Sequence, residues 1–208
     1  MYFVKTPKIV KPLYPLAKWC VRTDKKTIYL TFDDGPSPAV TDATFEILDR
    51  FSAKACFFLI GENVVQHPEY IQKYAALGHS IGNHTHSHLN GWSTQTPEYL
   101  VDITQASKVI SSNLFRPPYG RITRKQVKNV EPDYTICMWD VLSGDFDPSV
   151  DVDHCIKNVI ENIEPGSIVV FHDSQKASKV MLAALPIILK QLSERGYQFK
   201  ALSENVFH

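Results

Sequence analysis

The 208-residue sequence lacks an excess of charge of either sign. Lysine plus arginine total 22 and aspartate plus glutamate total 22, and no long basic run is present. Such a chain has no net field to concentrate a polyanion and no stripe of cations to follow a phosphate backbone. We therefore expect no nucleic acid partner.

Long apolar runs are also missing. Runs such as residues 168–171 fall far short of the roughly 20 residues that a membrane-spanning helix needs. Near the N-terminus, Lys11, Pro12, Pro15 and Lys18 interrupt the apolar residues, so the unbroken stretch of a secretory signal is absent. The sequence predicts no transmembrane segment and, by default, a cytoplasmic location.

Cysteine is scarce, and its spacing excludes a CxxC motif. Cys56 and Cys137 lie in apolar, strand-like runs, where a reduced thiol packs as a small hydrophobic group. We predict four free thiols, at Cys20, Cys56, Cys137 and Cys155. Apolar residues make up 44% of the chain and charged residues 21%, which is the composition of one folded domain with a sizeable core.

The hydrophobic pattern alternates between strands and helices. Strands are predicted at 27–31, 55–59, 80–82, 114–116, 134–139, 167–171 and 197–202. Helices are predicted at 40–51, 68–78, 96–112, 123–130, 151–162 and 178–195, with Thr96 as an N-cap and Pro97 at the first helical position. Seven strands alternating with helices imply a parallel sheet with right-handed crossovers, and the length favours a closed or nearly closed barrel.

Two adjacent aspartates close the first predicted strand. Asp33 and Asp34 lie between this strand and Gly35-Pro36, at the face where α/β barrels build active sites. Neighbouring carboxylates tolerate each other poorly unless a cation or an arginine compensates one of them, and a bound metal would explain the pair. The alternative is a solvated acidic turn.

A histidine cluster follows the third strand. His84 and His88 are four residues apart, so on a helical turn both imidazoles would face the same way, as metal ligands need. His86 cannot share that face and is interpreted as a supporting or surface residue. The alternative is a polar loop whose histidines are satisfied by hydrogen bonds.

Asp34, His84 and His88 together offer one oxygen and two nitrogens. Three protein ligands leave a fourth position for water, and such an open site indicates catalysis rather than structure. Zinc suits this ligand set best, although cobalt, nickel or iron would also be accepted. The predicted cofactor is therefore one divalent ion, Zn²⁺ before Co²⁺ or Ni²⁺.

Three later segments carry further polar groups. Residues 115–120 end the fourth strand with a guanidinium and a stiff Pro-Pro step that could present a backbone N–H to a ligand, or they form an ordinary Pro-Gly loop. Residues 145–147 (Asp-Phe-Asp) lie beyond the strand that ends at Trp139. His172 ends the sixth strand and is a candidate general acid, or a satisfied histidine at the rim.

These five segments, in this order, resemble the polysaccharide deacetylase family, also called carbohydrate esterase family 4 or the NodB homology domain. The resemblance covers roughly residues 27–202, and five spaced motifs at five strand ends make it specific. It implies an α/β fold, a distorted (β/α) barrel with about seven parallel strands. We expect residues 27–208 to form the catalytic domain, and residues 1–26 to be an N-terminal extension packed on the barrel or preceding it.

The resemblance implies a role for each residue of the first two motifs. The family motif TFDDGP is intact here, which makes Asp33 the catalytic base and Asp34 a metal ligand. The motif H-(S/T)-x-x-H matches His84, Thr85 and His88, and its two histidines are metal ligands.

The remaining motifs imply the other catalytic groups. Arg116 would orient the base, and the backbone N–H of Tyr119 would help to form the oxyanion hole. His172 would be the general acid, with Asp145 tuning it.

The fourth motif departs from the family. An Asp-Trp pair is usual, whereas here Phe146 follows Asp145 and replaces the tryptophan that lines the substrate groove. Leu142 stands where an aspartate is common, and Val169 where leucine is usual. The wall of the groove, and with it the preferred glycan, is therefore expected to differ.

The resemblance predicts a metal-dependent hydrolase that removes acetyl groups from N-acetylated sugars of chitin-oligomer or peptidoglycan type. One alternative is an O-acetyl esterase acting on acetylated glycans. Another is a non-catalytic glycan-binding module, which would tolerate loss of Asp33, Arg116 or His172, although all three are present. A relative acting on a small amide would need a closed pocket, whereas the short loops favour an open cleft. Family members often act on the cell envelope, and a monomer is the default.

Overall fold

The computed structural model describes residues 2–207. Within this range, eight strands and seven α-helices follow one another, for the most part in alternation. The strands are β1 Thr27–Asp33, β2 Ala55–Leu59, β3 Ser80–Asn83, β4 Leu114–Phe115, β5 Thr135–Ile136, β6 Val141–Leu142, β7 Ile168–His172 and β8 Gln198–Phe199. The helices are α1 Pro38–Arg50, α2 Gly61–Gln66, α3 Glu69–Ala76, α4 Thr96–Ser107, α5 Arg124–Val130, α6 Val152–Ile160 and α7 Ser178–Glu194. Short 3₁₀ turns cover Lys11–Leu13, Pro118–Gly120 and Glu204–Phe207.

The strands form one curled parallel sheet in the order β5-β4-β3-β2-β1-β7-β6, and β8 pairs with the start of β1. Every residue of the central strand β1 is buried. Strands β5 and β6 end the path and do not pair with each other within residues 2–207, so the sheet is curled rather than closed. The predicted distorted (β/α) barrel with about seven parallel strands is thereby confirmed.

Alternate residues of the strands face two different cores. On β2, Phe57 packs outward with the helices, while Cys56 and Phe58 point into the curl of the sheet. The outward face stacks Phe32 between Phe57 at 4.9 Å and Phe171 at 5.6 Å between ring centres. Because both faces of these strands are covered, their sequences are mostly apolar runs rather than alternating ones. The four cysteines are free, and Cys20 alone is exposed.

The segment before β1 crosses the open side of the sheet. Lys18 forms a parallel bridge with Cys137, just after β5, and Lys5 an antiparallel bridge with β6. Asp140, which is buried, lies between these strands. Its carboxylate pairs with Lys5 Nζ at 2.6 Å and with Lys11 Nζ at 3.0 Å. Two cations on one buried carboxylate therefore tie the N-terminal segment to the barrel.

Several predicted elements differ from the observed ones. Strand β6 and helix α2 were not predicted, because two and six residues are too few to show a period. The prediction of Thr96 as N-cap is wrong: Gln95 is the N-cap, and Thr96 is the first helical residue. The same helix ends at Ser107 rather than near residue 112. Within residues 2–207, no helix is both long and apolar enough to cross a membrane.

Candidate active site at the carboxyl ends of the strands

All the predicted site residues lie at one edge of the sheet. Asp33 and His172 are the last residues of the paired strands β1 and β7, where they are register partners. The segments that follow β1, β3, β4 and β6 bring in the others, namely Asp34, His84, His88, Arg116, Tyr119 and Asp145. Parallel strands end at a common edge, so five distant segments converge there.

The loops at this edge contain unusual backbone conformations. Positive φ angles occur at Asp34 (80°), Thr85 (66°), His88 (55°) and Tyr119 (60°). Such conformations cost about 1–3 kcal/mol each for residues other than glycine and cluster at functional sites. They also show that residues 84–88 form a loop, so the predicted helical turn is wrong. The two imidazoles converge because the chain bends at Thr85 and His88.

One oxygen and two ring nitrogens meet in this loop region. Asp34 Oδ1 lies 3.2 Å from His88 Nε2 and 3.8 Å from His84 Nε2. Each of the three residues has a ligand atom within 4.8 Å of the others. Ligands at roughly 2.0–2.1 Å from a tetrahedral ion lie about 3.3 Å apart, so these separations fit one small cation.

The tautomer of His84 is set by a backbone carbonyl. His84 Nδ1 lies 2.7 Å from the carbonyl oxygen of Arg116, which can only accept a hydrogen bond, so Nδ1 carries the proton. Burial lowers the pKa of His84 to about 4, so the ring is neutral and Nε2 keeps its lone pair. Backbone carbonyls commonly orient metal-binding histidines in this way.

Asp34 presents a matching acceptor. Burial alone would raise the pKa of Asp34, but the neighbouring His88 and the charge of His172 hold it well below its usual range. Its Oδ1 is buried and makes no hydrogen bond. A carboxylate oxygen thus faces the lone pair of His84 Nε2, an arrangement that a cation between them stabilises. The donor set fits zinc or a related divalent ion.

Asp33 is held by a fully buried arginine. Arg116 Nη1 donates to Asp33 Oδ1 and to Thr31 Oγ1, both at 2.7 Å. The other guanidinium nitrogens donate to the carbonyls of Cys137 at 3.0 Å and Met138 at 3.1 Å. All three guanidinium nitrogens therefore donate hydrogen bonds within the protein, and the Asp33 carboxylate is held in place at the end of β1.

Asp145 holds His172 from two directions. Asp145 Oδ2 accepts the His172 backbone N–H at 2.7 Å, and Oδ1 lies 2.8 Å from the ring Nδ1. Burial would lower the pKa of His172, but the charge of Asp145 and its hydrogen bond raise it to about 9. The ring is thus protonated at neutral pH, with Nδ1 directed to Asp145.

Two aromatic rings lie next to His172. Phe146 packs edge-on against His172 with 4.9 Å between ring centres. Tyr2 packs on Phe146 at 5.3 Å and donates its hydroxyl to Asp147 at 2.9 Å. The N-terminal segment thereby adds a ring beside the position where the family usually has tryptophan.

Tyr119 lies on the opposite side of the site. Its ring is exposed and lies 4.6 Å from the ring of His88. Its backbone N–H makes no hydrogen bond within residues 2–207, whereas those of Gly120 and Arg121 bond to Pro117 and Pro118. This N–H therefore remains available to a ligand.

The sequence analysis missed two residues that support the loops of the candidate site. Asp102 on α4 accepts the backbone N–H groups of His86 and Ser87 at 2.7 and 3.1 Å and the Ser87 hydroxyl at 3.0 Å. Asn63 on α2 donates to the Asp34 carbonyl at 2.7 Å. Asp102 could have been noticed in the sequence, because it lies on the apolar face of α4, where a charged side chain is unexpected.

Comparison with known proteins identifies the family. The family model described as polysaccharide deacetylase matches residues 21–133. A peptidoglycan-N-acetylglucosamine deacetylase of Bacillus cereus is 34% identical over 196 residues, which cover 89% of this chain and 91% of the relative. The chain belongs to the polysaccharide deacetylase family.

Other polysaccharide deacetylases support the assignment in sequence and structure. A chitooligosaccharide deacetylase of Azorhizobium caulinodans is 31% identical over 88% of this chain and 95% of its own. The crystal structure of the Bc1960 peptidoglycan N-acetylglucosamine deacetylase superposes with a TM-score of 0.87 at 32% identity, over 95% of both chains. The prediction of a carbohydrate esterase family 4 hydrolase acting on N-acetylated sugars is thereby confirmed.

Proposed function

We propose that this polysaccharide deacetylase hydrolyses the N-acetyl groups of a β-linked glycan of peptidoglycan or chitin-oligomer type, with Asp34, His84 and His88 holding a zinc ion. The observation that carries the proposal is the pair of acceptors, Asp34 Oδ1 and the unprotonated His84 Nε2, that face each other in a buried site. When bound, the ion lowers the pKa of a water molecule and polarises the acetyl carbonyl.

Asp33 is the proposed base. Its carboxylate accepts a proton as the water oxygen attacks the acetamide carbon. Arg116 fixes the position of this carboxylate through the 2.7 Å contact, while the second oxygen remains available. A base held in hydrogen-bond reach of its proton typically contributes a factor of roughly 10²–10⁴ to the rate.

Tyr119 and His172 are proposed to act on the tetrahedral intermediate. The free backbone N–H of Tyr119 would donate to the oxyanion, and one such donor is typically worth roughly 3–4 kcal/mol. His172 gives its proton to the amide nitrogen as the C–N bond breaks, yielding acetate and the sugar amine. Asp145 stabilises the charged ring before the transfer and orients it.

The N-terminal segment is proposed to complete the groove rather than to form a separate unit. We assign residues 27–208 to the catalytic domain and residues 1–26 to an extension that seals the open side of the sheet. Its ion pairs with Asp140 and the contact of Tyr2 with Phe146 support this division. The two rings would form the groove wall on the His172 side.

Acetate release tests the proposed function. We expect N-acetylglucosamine oligosaccharides to yield acetate with zinc-loaded protein, to yield none after chelation, and to do so again when zinc is restored. Asp33→Asn should retain zinc but release no acetate above background. Wild-type protein that retains its zinc yet deacetylates neither these oligosaccharides nor peptidoglycan strands would refute the proposal.

A further inference from the structure

An exposed arginine lies between two exposed aromatic rings beside the metal site. The Arg121 guanidinium carbon is 5.3 Å from the ring centre of Trp92 and 6.0 Å from that of Tyr119. Trp92 is 62% exposed and Tyr119 is 59% exposed. We call Trp92, Tyr119 and Arg121 the Arg121 platform. Because the Tyr119 ring also contacts His88, the platform extends outward from the candidate metal site.

The backbone beneath the Arg121 platform is firmly held although its rings are exposed. Trp92 Nε1 donates to the Ile122 carbonyl at 3.3 Å. Gln126 at the start of α5 donates to the Gly91 carbonyl at 2.9 Å. Gly91 is in close contact with residue 121, since an added Cβ would come 2.5 Å from the Arg121 carbonyl oxygen. The two aromatic faces are thus presented to solvent in a fixed arrangement, which is typical of a binding surface.

The guanidinium of Arg121 contacts two aromatic rings but has no carboxylate partner in the described part of the chain. Throughout residues 2–207, its guanidinium makes no ion pair with an aspartate or glutamate. Its side chain also makes no hydrogen bond there, whereas the side chain of Arg116 makes four. A free guanidinium fork recognises a carboxylate with two parallel hydrogen bonds.

The Arg121 platform and Phe146 lie on opposite sides of Asp33 and Asp34. Tyr119 and Trp92 belong to the segments after β4 and β3, whereas Phe146 follows β6. In the sheet, β3 and β4 lie on one side of β1, and β7 and β6 lie on the other. A glycan laid across Asp33 and Asp34 would therefore meet Phe146 on one side and Arg121 on the other.

We propose that the Arg121 platform binds a carboxylate-bearing sugar that neighbours the N-acetylated sugar at the metal site. The rings of Trp92 and Tyr119 pack against the apolar C–H faces of the sugar, and the guanidinium pairs with its carboxylate. The preferred substrate is then a glycan in which neutral and acidic sugars alternate, rather than a uniform neutral chain. This inference rests on the proposed deacetylase function and specifies its substrate class.

The test compares two substrates that differ only at the carboxyl groups, which are charged in one and neutral in the other. One is a tetrasaccharide of alternating N-acetylglucosamine and N-acetylmuramic acid, and the other is the same compound with its carboxyl groups converted to methylamides. We expect wild-type protein to favour the charged form roughly three- to tenfold in kcat/KM, and this preference to fall with added salt. In Arg121→Gln the ratio should approach one.

A matched control and a second measurement complete the test. Arg124→Gln changes another exposed arginine three residues away and should keep the wild-type ratio. Titration calorimetry with the Asp33→Asn variant measures binding of both tetrasaccharides without turnover. Equal binding of the two tetrasaccharides by the Asp33→Asn variant, or a kcat/KM ratio in Arg121→Gln that equals the wild-type ratio, would overturn the inference. If N-acetylglucosamine oligosaccharides are deacetylated while the two tetrasaccharides bind equally, the proposed function stands and only the Arg121 platform is wrongly assigned.

Discussion

His84 Nδ1 lies 2.7 Å from the backbone carbonyl oxygen of Arg116, so the residue that positions the proposed base, Asp33, also sets the tautomer of a proposed metal ligand. Arg116 thereby connects the candidate metal ligands to the proposed base. The carbonyl of Arg116 directs His84 Nε2 toward Asp34, while its side chain holds Asp33. Small shifts of β4 would disturb both groups together.

Loss of either proposed histidine ligand should abolish tight zinc binding. We expect His84→Ala and His88→Ala to weaken zinc binding by more than the roughly 10- to 100-fold that loss of an outer hydrogen-bond partner costs. Competition with a zinc chelator measures the affinity. His154→Ala, which removes an exposed histidine of α6, should bind zinc as the wild type does. Unchanged affinity in both ligand variants would place the metal elsewhere.

Removal of Arg116 should cost stability as well as activity. In Arg116→Ala the Asp33 carboxylate loses its buried partner, and breaking such a pair costs about 3–5 kcal/mol in free energy of unfolding. Denaturant unfolding measures the change. Arg50→Ala, at the exposed end of α1, should shift it by less than about 0.5 kcal/mol. A loss of activity with full stability would mean that Arg116 has no structural role.

The pairing of His172 with Asp145 should set the alkaline limit of activity. Since the pKa of His172 is raised to about 9, the protonated acid is present below that pH, and kcat/KM should fall above it. Asp145→Asn removes the charge that raises the pKa, so the descending limb should move roughly 1–3 pH units lower. Asp151→Asn, which alters the exposed pair with His154, should leave the profile unchanged.

The pairing of His172 with Asp145 should also make the stability of the fold depend on pH. A histidine whose pKa is raised in the folded state stabilises the fold below its ordinary value near 6.5, and this contribution is lost as the pH rises through about 9. Asp145→Asn should therefore lose more stability at pH 6 than at pH 10. Equal losses at both values would show that His172 does not carry the charge.

Asp102 should support the metal site from a distance. Its three hydrogen bonds hold the loop between His84 and His88 in its bent form. We expect Asp102→Ala to weaken zinc binding roughly 10- to 100-fold, as loss of outer partners does. Glu98→Gln on the exposed face of the same helix is the matched control. Equal affinities in the two variants would remove Asp102 from this role.

The sequence by itself determined the parallel sheet and the positions of the polar groups along it. Buried strands such as β1, β2 and β7 are mostly apolar runs, and β1 and β7 end in Asp33 and His172, so these two strand ends and their site residues were predictable together. The spacing of His84 and His88 indicated that their imidazole rings converge, but it could not distinguish a helical turn from a bent loop.

Only the tertiary structure decided how the groups are held. The contact of Tyr2 with Phe146 and the bonds from Lys5 to Asp140 join residues more than 100 positions apart, which no local pattern reports. Strand β6 has two residues and exists because the N-terminal segment and β7 supply its hydrogen-bond partners. The loop that contains the left-handed Thr85 is likewise held from outside, because Asp102 of α4 accepts the backbone N–H groups of His86 and Ser87.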